Sequence, residues 1–171
     1  LYDQLNQKLI KHGFILSLYT YDKIESLIKE SGAAILTGIE EGDLRINRLK
    51  DSEIPFVTIG KSTNNFWVCP DDESGGRIAA EHLLSLGCKR NVIIENVLEG
   101  KGTKARAIGF QTCLQQNGLM SSNLYIKEFK AIELQTYRVV MSMLKQGTLN
   151  FGAAFCESDE IAYGALMACK D

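Results

Sequence analysis

No stretch of this 171-residue chain approaches the roughly 20 consecutive apolar residues that a membrane-spanning helix needs. The first residues also lack the basic-then-apolar pattern of a secretory signal. Nineteen Lys and Arg stand against twenty-one Asp and Glu, a net charge of −2. Without an excess of positive charge the chain is a poor binder of phosphate backbones, so any DNA contact has to come from elsewhere. The five cysteines, Cys69, Cys88, Cys113, Cys156 and Cys169, form no C-x-x-C pair and lie in otherwise apolar patterns. That usage suits reduced core thiols in a soluble, cytoplasmic protein. Only His12 and His82 are present, neither near a cysteine in sequence, so neither a metal site nor a cofactor is expected. There is no G-x-S-x-G elbow, no H-E-x-x-H, and no Cys/His pairing with an orienting partner. Adjacent helix-start acids have diverging side chains rather than a common target. An enzyme is not expected.

What is present is ordinary for a globular protein: 45% hydrophobic and 23% charged residues. Short apolar runs alternate with helical periodicity almost without interruption, the signal of repeated βα units and parallel sheets. Leu5, Leu9 and Ile10 share a helical face that stops before Gly13, and residues 14–19 read as a strand. Asp22 is placed to cap a short helix with Ile24, Leu27 and Ile28, followed by a strand over 33–37. Asp43 opens a helix with Leu44 and Leu49, and Pro55 launches a strand over 56–59. Further strands are predicted over 91–97, 125–129 and 152–156. They alternate with helices over 104–117, 133–146 and 158–169, the first two closed by Gly118 and Gly147. A seam beside Gly87, where Cys88-Lys89-Arg90 follows, divides the chain into lobes 1–86 and 87–171 with a cleft between them. A doubly wound sheet ordinarily has a strand ahead of its first helix, so the pattern is expected to be incomplete at its start.

Three positions at helix starts after strands merit chemical attention, because open α/β sheets bind ligands there. The turn Asp71-Asp72-Glu73-Ser74 precedes Gly75-Gly76. Its side chains either cap a helix, contributing about 1 kcal/mol, or hydrogen-bond a polar ligand such as a sugar. Arg106 follows Gly100-Lys101-Gly102-Thr103 and is expected in the first turn of its helix. A cation there opposes the dipole, which suits a guanidinium aimed at a ligand; a solvated surface charge is the plain alternative. The glycines before it resemble a phosphate cradle only weakly, lacking the G-K-[ST] sequel. Ser158-Asp159-Glu160 opens the last helix, again as a cap or a ligand contact. Trp67, the single tryptophan, either packs in the core or stacks on a ligand.

Several runs, taken in order, resemble the LacI/GalR family of bacterial transcription regulators. They are Ile54-Pro55-Phe56-Val57-Thr58-Ile59-Gly60; Asp71-Asp72-x-x-Gly75-Gly76-Arg77-x-Ala79-x-x-His82-Leu83; Leu86-Gly87; Arg106-x-x-Gly109-Phe110; and Ser158-Asp159-x-x-Ala162-x-Gly164-Ala165. The resemblance implies a periplasmic-binding-protein-like core of two doubly wound parallel-sheet lobes, incomplete at both termini. The first strand would be missing from lobe 1–86 and the last strands from lobe 87–171. It also implies a homodimer that binds a sugar or sugar derivative and allosterically controls operator DNA through a helix-turn-helix headpiece not in this chain. Arg106 takes the position of the family arginine that contacts effector hydroxyls, and Ser74 a position that offers a polar side chain. Ser158 lines the cleft beside Asp159, and Asp72 belongs to the acidic turn. Two departures stand out: Gly87-Cys88 replaces a glycine-histidine pair, and Lys130-Ala131-Ile132 lacks the aromatic that many members stack on sugar. The rival reading is a secreted sugar-binding protein serving an ABC transporter, which five unpaired thiols and the absent signal pattern disfavour.

Overall fold

The computed structural model describes residues 2–40, 42–96, 101–127, 130–149 and 151–171, with backbone alone at 101–103. The chain divides into two compact units, Leu1–Cys69 and Pro70–Asp171. The first carries α1 (Tyr2–Ile10), a 3-10 turn (Tyr21–Lys23), α2 (Ile24–Glu30), β1 (Ala34–Leu36), α3 (Leu44–Asp51), β2 (Phe56–Ile59) and β3 (Phe66–Val68). The second carries α4 (Asp72–Ser85), β4 (Asn91–Asn96), α5 (Lys101–Gln116), β5 (Ser121–Ile126), α6 (Ile132–Lys145), β6 (Ala153–Cys156) and α7 (Asp159–Lys170). Each unit has a three-stranded sheet, ordered β1-β2-β3 and β5-β4-β6, and every pairing is parallel. The α/β class and the parallel sheets are therefore as the periodicity predicted.

In the second unit β4 lies at the centre of its sheet, and all six of its residues are buried. Its side chains alternate between two layers, as a pleated strand dictates. Val92 and Ile94 join Val140, Ile161, Ala165 and Ala168, under α6 and α7. Ile93 joins Ala80, Ala107, Phe110, Cys113 and Leu114, under α4 and α5. Helices cover both faces, which is why the middle of β4, Val92-Ile93-Ile94, reads as a continuous apolar run rather than an alternating one. The strand order has a directional consequence. From β4 the chain crosses to β5 on one side, then returns past β4 to β6 on the other, so a topological switch point lies between the carboxyl ends of β4 and β6.

The first unit has one core, Ala34, Leu36 and Leu49, packed by Ile24, Leu27, Ile28, Ile46 and Phe56. Asp43 caps α3 as expected, accepting from the Arg45 amide at 3.0 Å. Its carboxylate also pairs with the Arg45 guanidinium at 2.6 Å, and that guanidinium lies over the Tyr21 ring. Asp22 does not cap. It sits inside the 3-10 turn and receives the Thr20 hydroxyl at 2.7 Å.

Five further expectations change, one being β5, which occupies Ser121–Ile126 rather than 125–129. Residues 14–19 form no strand, and Phe14, Ile15 and Leu18 are exposed. A strand persists only where a neighbour takes up its backbone donors and acceptors, and among the described residues none does. Phe66–Val68, not predicted, is a strand because β2 pairs with it. Trp67 sits on that edge, 46% exposed, rather than in a core. The division falls at Cys69/Pro70 rather than beside Gly87. The physical reason is that α4 packs backbone to backbone on α5: a Cβ at Gly76 would overlap the Arg106 carbonyl, and one at Gly109 the Glu73 carbonyl. Finally, α5 begins at Lys101, so Gly102 and Thr103 are helical and Arg106 lies beyond the first turn. Gly100, Val97 and Phe129 fall outside the described residues.

Candidate functional site

The close approach at Gly76 and Gly109 decides which side chain of the acidic turn meets Arg106. Asp71 is the cap of α4, its Oδ1 accepting the Ser74 amide at 3.0 Å. Asp72 lies one turn before Gly76 and shares its face toward α5. Its Oδ1 is 3.0 Å from Arg106 Nε. That N–H is not directed at the oxygen, and Nε is buried without a hydrogen bond, so the contact is an ion pair. From α5 the same guanidinium reaches the end of β6, where Nη1 donates to the Glu157 carbonyl at 2.6 Å. The Arg106 side chain remains 37% exposed. A guanidinium has five N–H donors, so this one is fixed at two points and still has donors for a polar ligand.

Glu157 stands at the switch point and was not singled out from the sequence. Its amide donates to the Ile94 carbonyl at 3.1 Å, extending the β4–β6 pairing by one residue. Its Oε1 accepts the Asn96 amide at 2.9 Å, across the carboxyl end of β4. The residue is 5% exposed, and its Oε2 is buried with no hydrogen-bond partner. An acid directly after an apolar strand and before a helix cap was the available signal. It was obscured because Ser158 and Asp159 are the conspicuous neighbours.

Ser158 caps α7, its hydroxyl accepting the Ile161 amide at 3.4 Å. It sits beside Glu157, whereas Asp159 is exposed in the first turn of α7. Ser74 goes elsewhere. Two residues along a helix from Asp72, it points about 200° away. It lines an open groove of ≈ 330 Å³ with Asp71, Glu73, Arg77, Thr112 and Gln116. The structure thus brings Asp72, Arg106 and the Glu157–Ser158 backbone together and leaves Ser74 in a separate groove lined by α4 and α5. Among the described residues no group of three or more His, Cys, Asp or Glu is arranged to hold a metal ion. Nor is any described helix long and apolar enough to cross a membrane.

The family described as periplasmic binding proteins and sugar binding domain of LacI family matches residues 11–171. The chain belongs to this family. No curated protein sequence matches it. Solved structures similar to this LacI-type domain include a probable maltose operon transcriptional repressor from Staphylococcus aureus, with TM-score 0.80 and 18% identity, covering 96% of this chain and 63% of that one. A LacI family transcriptional regulator from Enterococcus faecium with bound ribose has TM-score 0.77 and 21% identity, covering 95% and 62%. The Cra transcriptional dual regulator from Pseudomonas putida, in complex with fructose 1-phosphate, has TM-score 0.78 and 20% identity, covering 98% and 66%. At these identities the likeness is one of fold, which is periplasmic-binding-protein-like. The LacI-type chain spans less than two thirds of the length of each of these neighbours.

Proposed function

We propose that this chain is the effector-binding core of a sugar-responsive bacterial transcriptional regulator, acting as a homodimer in the cytoplasm. The observation that carries the reading is Arg106, anchored between Asp72 and the Glu157 carbonyl at the switch point of its sheet, with its side chain still open to solvent. That is where open α/β sheets take polar ligands. Family membership supports a small-molecule effector, and the neighbours named above bind ribose in one case and fructose 1-phosphate in another. Each of those neighbours is named a regulator or repressor, which favours this reading over a transporter's solute-binding protein.

Operator DNA is contacted by a headpiece outside this chain, consistent with a net charge of −2. The effector acts by binding one conformation of the protein more tightly than another, and its differential affinity sets the size of the response, typically about 1–3 kcal/mol. Arg106 supplies donors to effector hydroxyls, while Ser158 and Asp159 border the site and Asp72 holds the guanidinium.

Calorimetric and thermal-shift titration of the full-length protein with sugars and sugar phosphates, ribose and fructose 1-phosphate included, tests the proposal. A ligand-induced rise in melting temperature that disappears in Arg106→Ala, with the unliganded melt retained, is the expected result. Effector affinity unchanged in that variant would refute the arginine's role, and no response to any compound in the panel would refute sugar responsiveness.

A further inference from the structure

Glu157 is held more completely than a helix cap or a strand end requires. Its amide is bonded to the Ile94 carbonyl, its own carbonyl to Arg106 Nη1, and its Oε1 to the Asn96 amide. One polar atom is left over: Oε2, buried and without a hydrogen-bond partner. Buried carboxylate oxygens are almost always satisfied, because desolvation without a donor is costly. Phe155, two residues earlier on β6, packs with the core beneath α4 and α5, so alternation along the strand puts the Glu157 side chain on that same face. Asp72 and Arg106 belong to those two helices. The leftover acceptor therefore belongs to the end of the sheet where Arg106 is anchored.

Charge points the same way. Among the described residues, Arg106 is the only cation in contact with Asp72 or Glu157, and its positive charge is already balanced by the Asp72 carboxylate. An anion arriving here meets one neutralised guanidinium and a second carboxylate. A hydroxylated neutral molecule meets acceptors it can satisfy.

Resting on the proposal that this end of the second sheet binds a small effector, we infer that Glu157 is a specificity-determining residue that selects an unphosphorylated, polyhydroxylated effector. Oε2 accepts a hydrogen bond from an effector hydroxyl, and the two carboxylates repel a phosphate group. Glu157→Gln is the discriminating change. The amide oxygen still accepts from Asn96, while an NH2 group, which donates and cannot accept, takes the place of Oε2.

The test is isothermal titration of the full-length protein with matched pairs, ribose against ribose 5-phosphate and fructose against fructose 1-phosphate. In the wild type the unphosphorylated member of the responding pair binds at least about tenfold tighter. Glu157→Gln weakens that member about tenfold or more and narrows the gap to its phosphate. Asp72→Asn, which frees the guanidinium's charge, narrows the gap by strengthening the phosphate ester, and it serves as the test if Glu157→Gln does not fold. Equal or tighter binding of the phosphate in the wild type overturns the selectivity while leaving effector binding standing. Unchanged neutral-sugar affinity in a folded Glu157→Gln, or an unchanged ratio in Asp72→Asn, overturns the assignment to these carboxylates. A wild type that binds no member of either pair overturns the inference together with the sugar-binding proposal beneath it.

Discussion

The two sheets have the same number of strands and the same parallel sense, yet they are differently completed. The central strand of the second sheet is buried at all six positions, with a separate core on each face. In the first unit a single core lies beneath α2 and α3, the edge strand β3 is exposed at every position, and α1 buries no residue. The lesson concerns where rigidity resides. Every proposed contact of Asp72, Arg106 and Glu157 is made within the unit whose sheet is covered on both sides, so the geometry that would hold an effector is set by helix–helix and helix–sheet packing.

The sharpest way to break that contrast is to remove one large ring from each unit. Phe110 is fully buried and stacks on Phe155 at 4.6 Å, whereas Phe66 is 84% exposed. Phe110→Ala should cost about 3–5 kcal/mol in urea unfolding, and Phe66→Ala less than about 0.5 kcal/mol. Equal effects would mean that the second unit's double layer is not what holds it.

Glycine substitution asks the same question of the backbone. Gly76→Ala forces a Cβ into the Arg106 carbonyl, while a Cβ at Gly32 meets nothing within 4 Å. The first change should destabilise by about 1–3 kcal/mol or more and also disturb effector binding, because it moves α5 away from Asp72. Gly32→Ala should leave the melting curve near that of the wild type.

The first unit has its own electrostatic element, and pH separates it from the second. The hydrogen bonds from Arg45 hold the Asp43 carboxyl below its ordinary value of 3.8. A depressed folded-state value contributes stability above the unfolded-state value, and that contribution is lost as the pH falls through the folded one. Stability should therefore decline below about pH 4. Asp43→Asn, which keeps a capping side chain, should cost about 1–2 kcal/mol at pH 7 and flatten that acid limb. A limb unchanged in this variant would assign it to other carboxylates.

The smallest effect is a difference of rate. Burial above all pushes the Cys156 thiol up to about 11, whereas Cys169, on α7, is exposed. At pH 8 iodoacetamide should modify Cys169 well before Cys156, as peptide mapping would read out. Comparable rates would indicate that β6 opens readily.

Much of this was legible in the one-dimensional pattern. β2 spans the predicted residues, and Gly118 and Gly147 close helices in the left-handed conformation, at φ 70 and 67. Both are local properties, set by side-chain periodicity and backbone freedom within a few residues. The site was legible in part. Arg106 and Asp72 could be named individually, but their pairing depends on a close approach of α4 and α5 that two isolated glycines do not announce. Ser74, two positions from Asp72, looked equivalent until helical rotation turned it into a separate groove lined by α4 and α5. Glu157 is an ordinary acid in sequence and becomes unusual only when one oxygen is bonded and the other is enclosed.

The alternation of helices and strands in the second unit, the parallel class and the family resemblance followed from amino-acid pattern alone, because periodicity, capping and turn chemistry act over short separations. Tertiary packing decided which apolar segments became strands. Phe14 to Tyr19 remained open chain and Phe66 to Val68 gained a partner, since a strand exists only when another takes up its hydrogen bonds. It also decided that Asp72, Arg106 and Glu157 meet. Contacts between residues as much as 51 positions apart depend on how closely whole helices can approach, which no local pattern encodes.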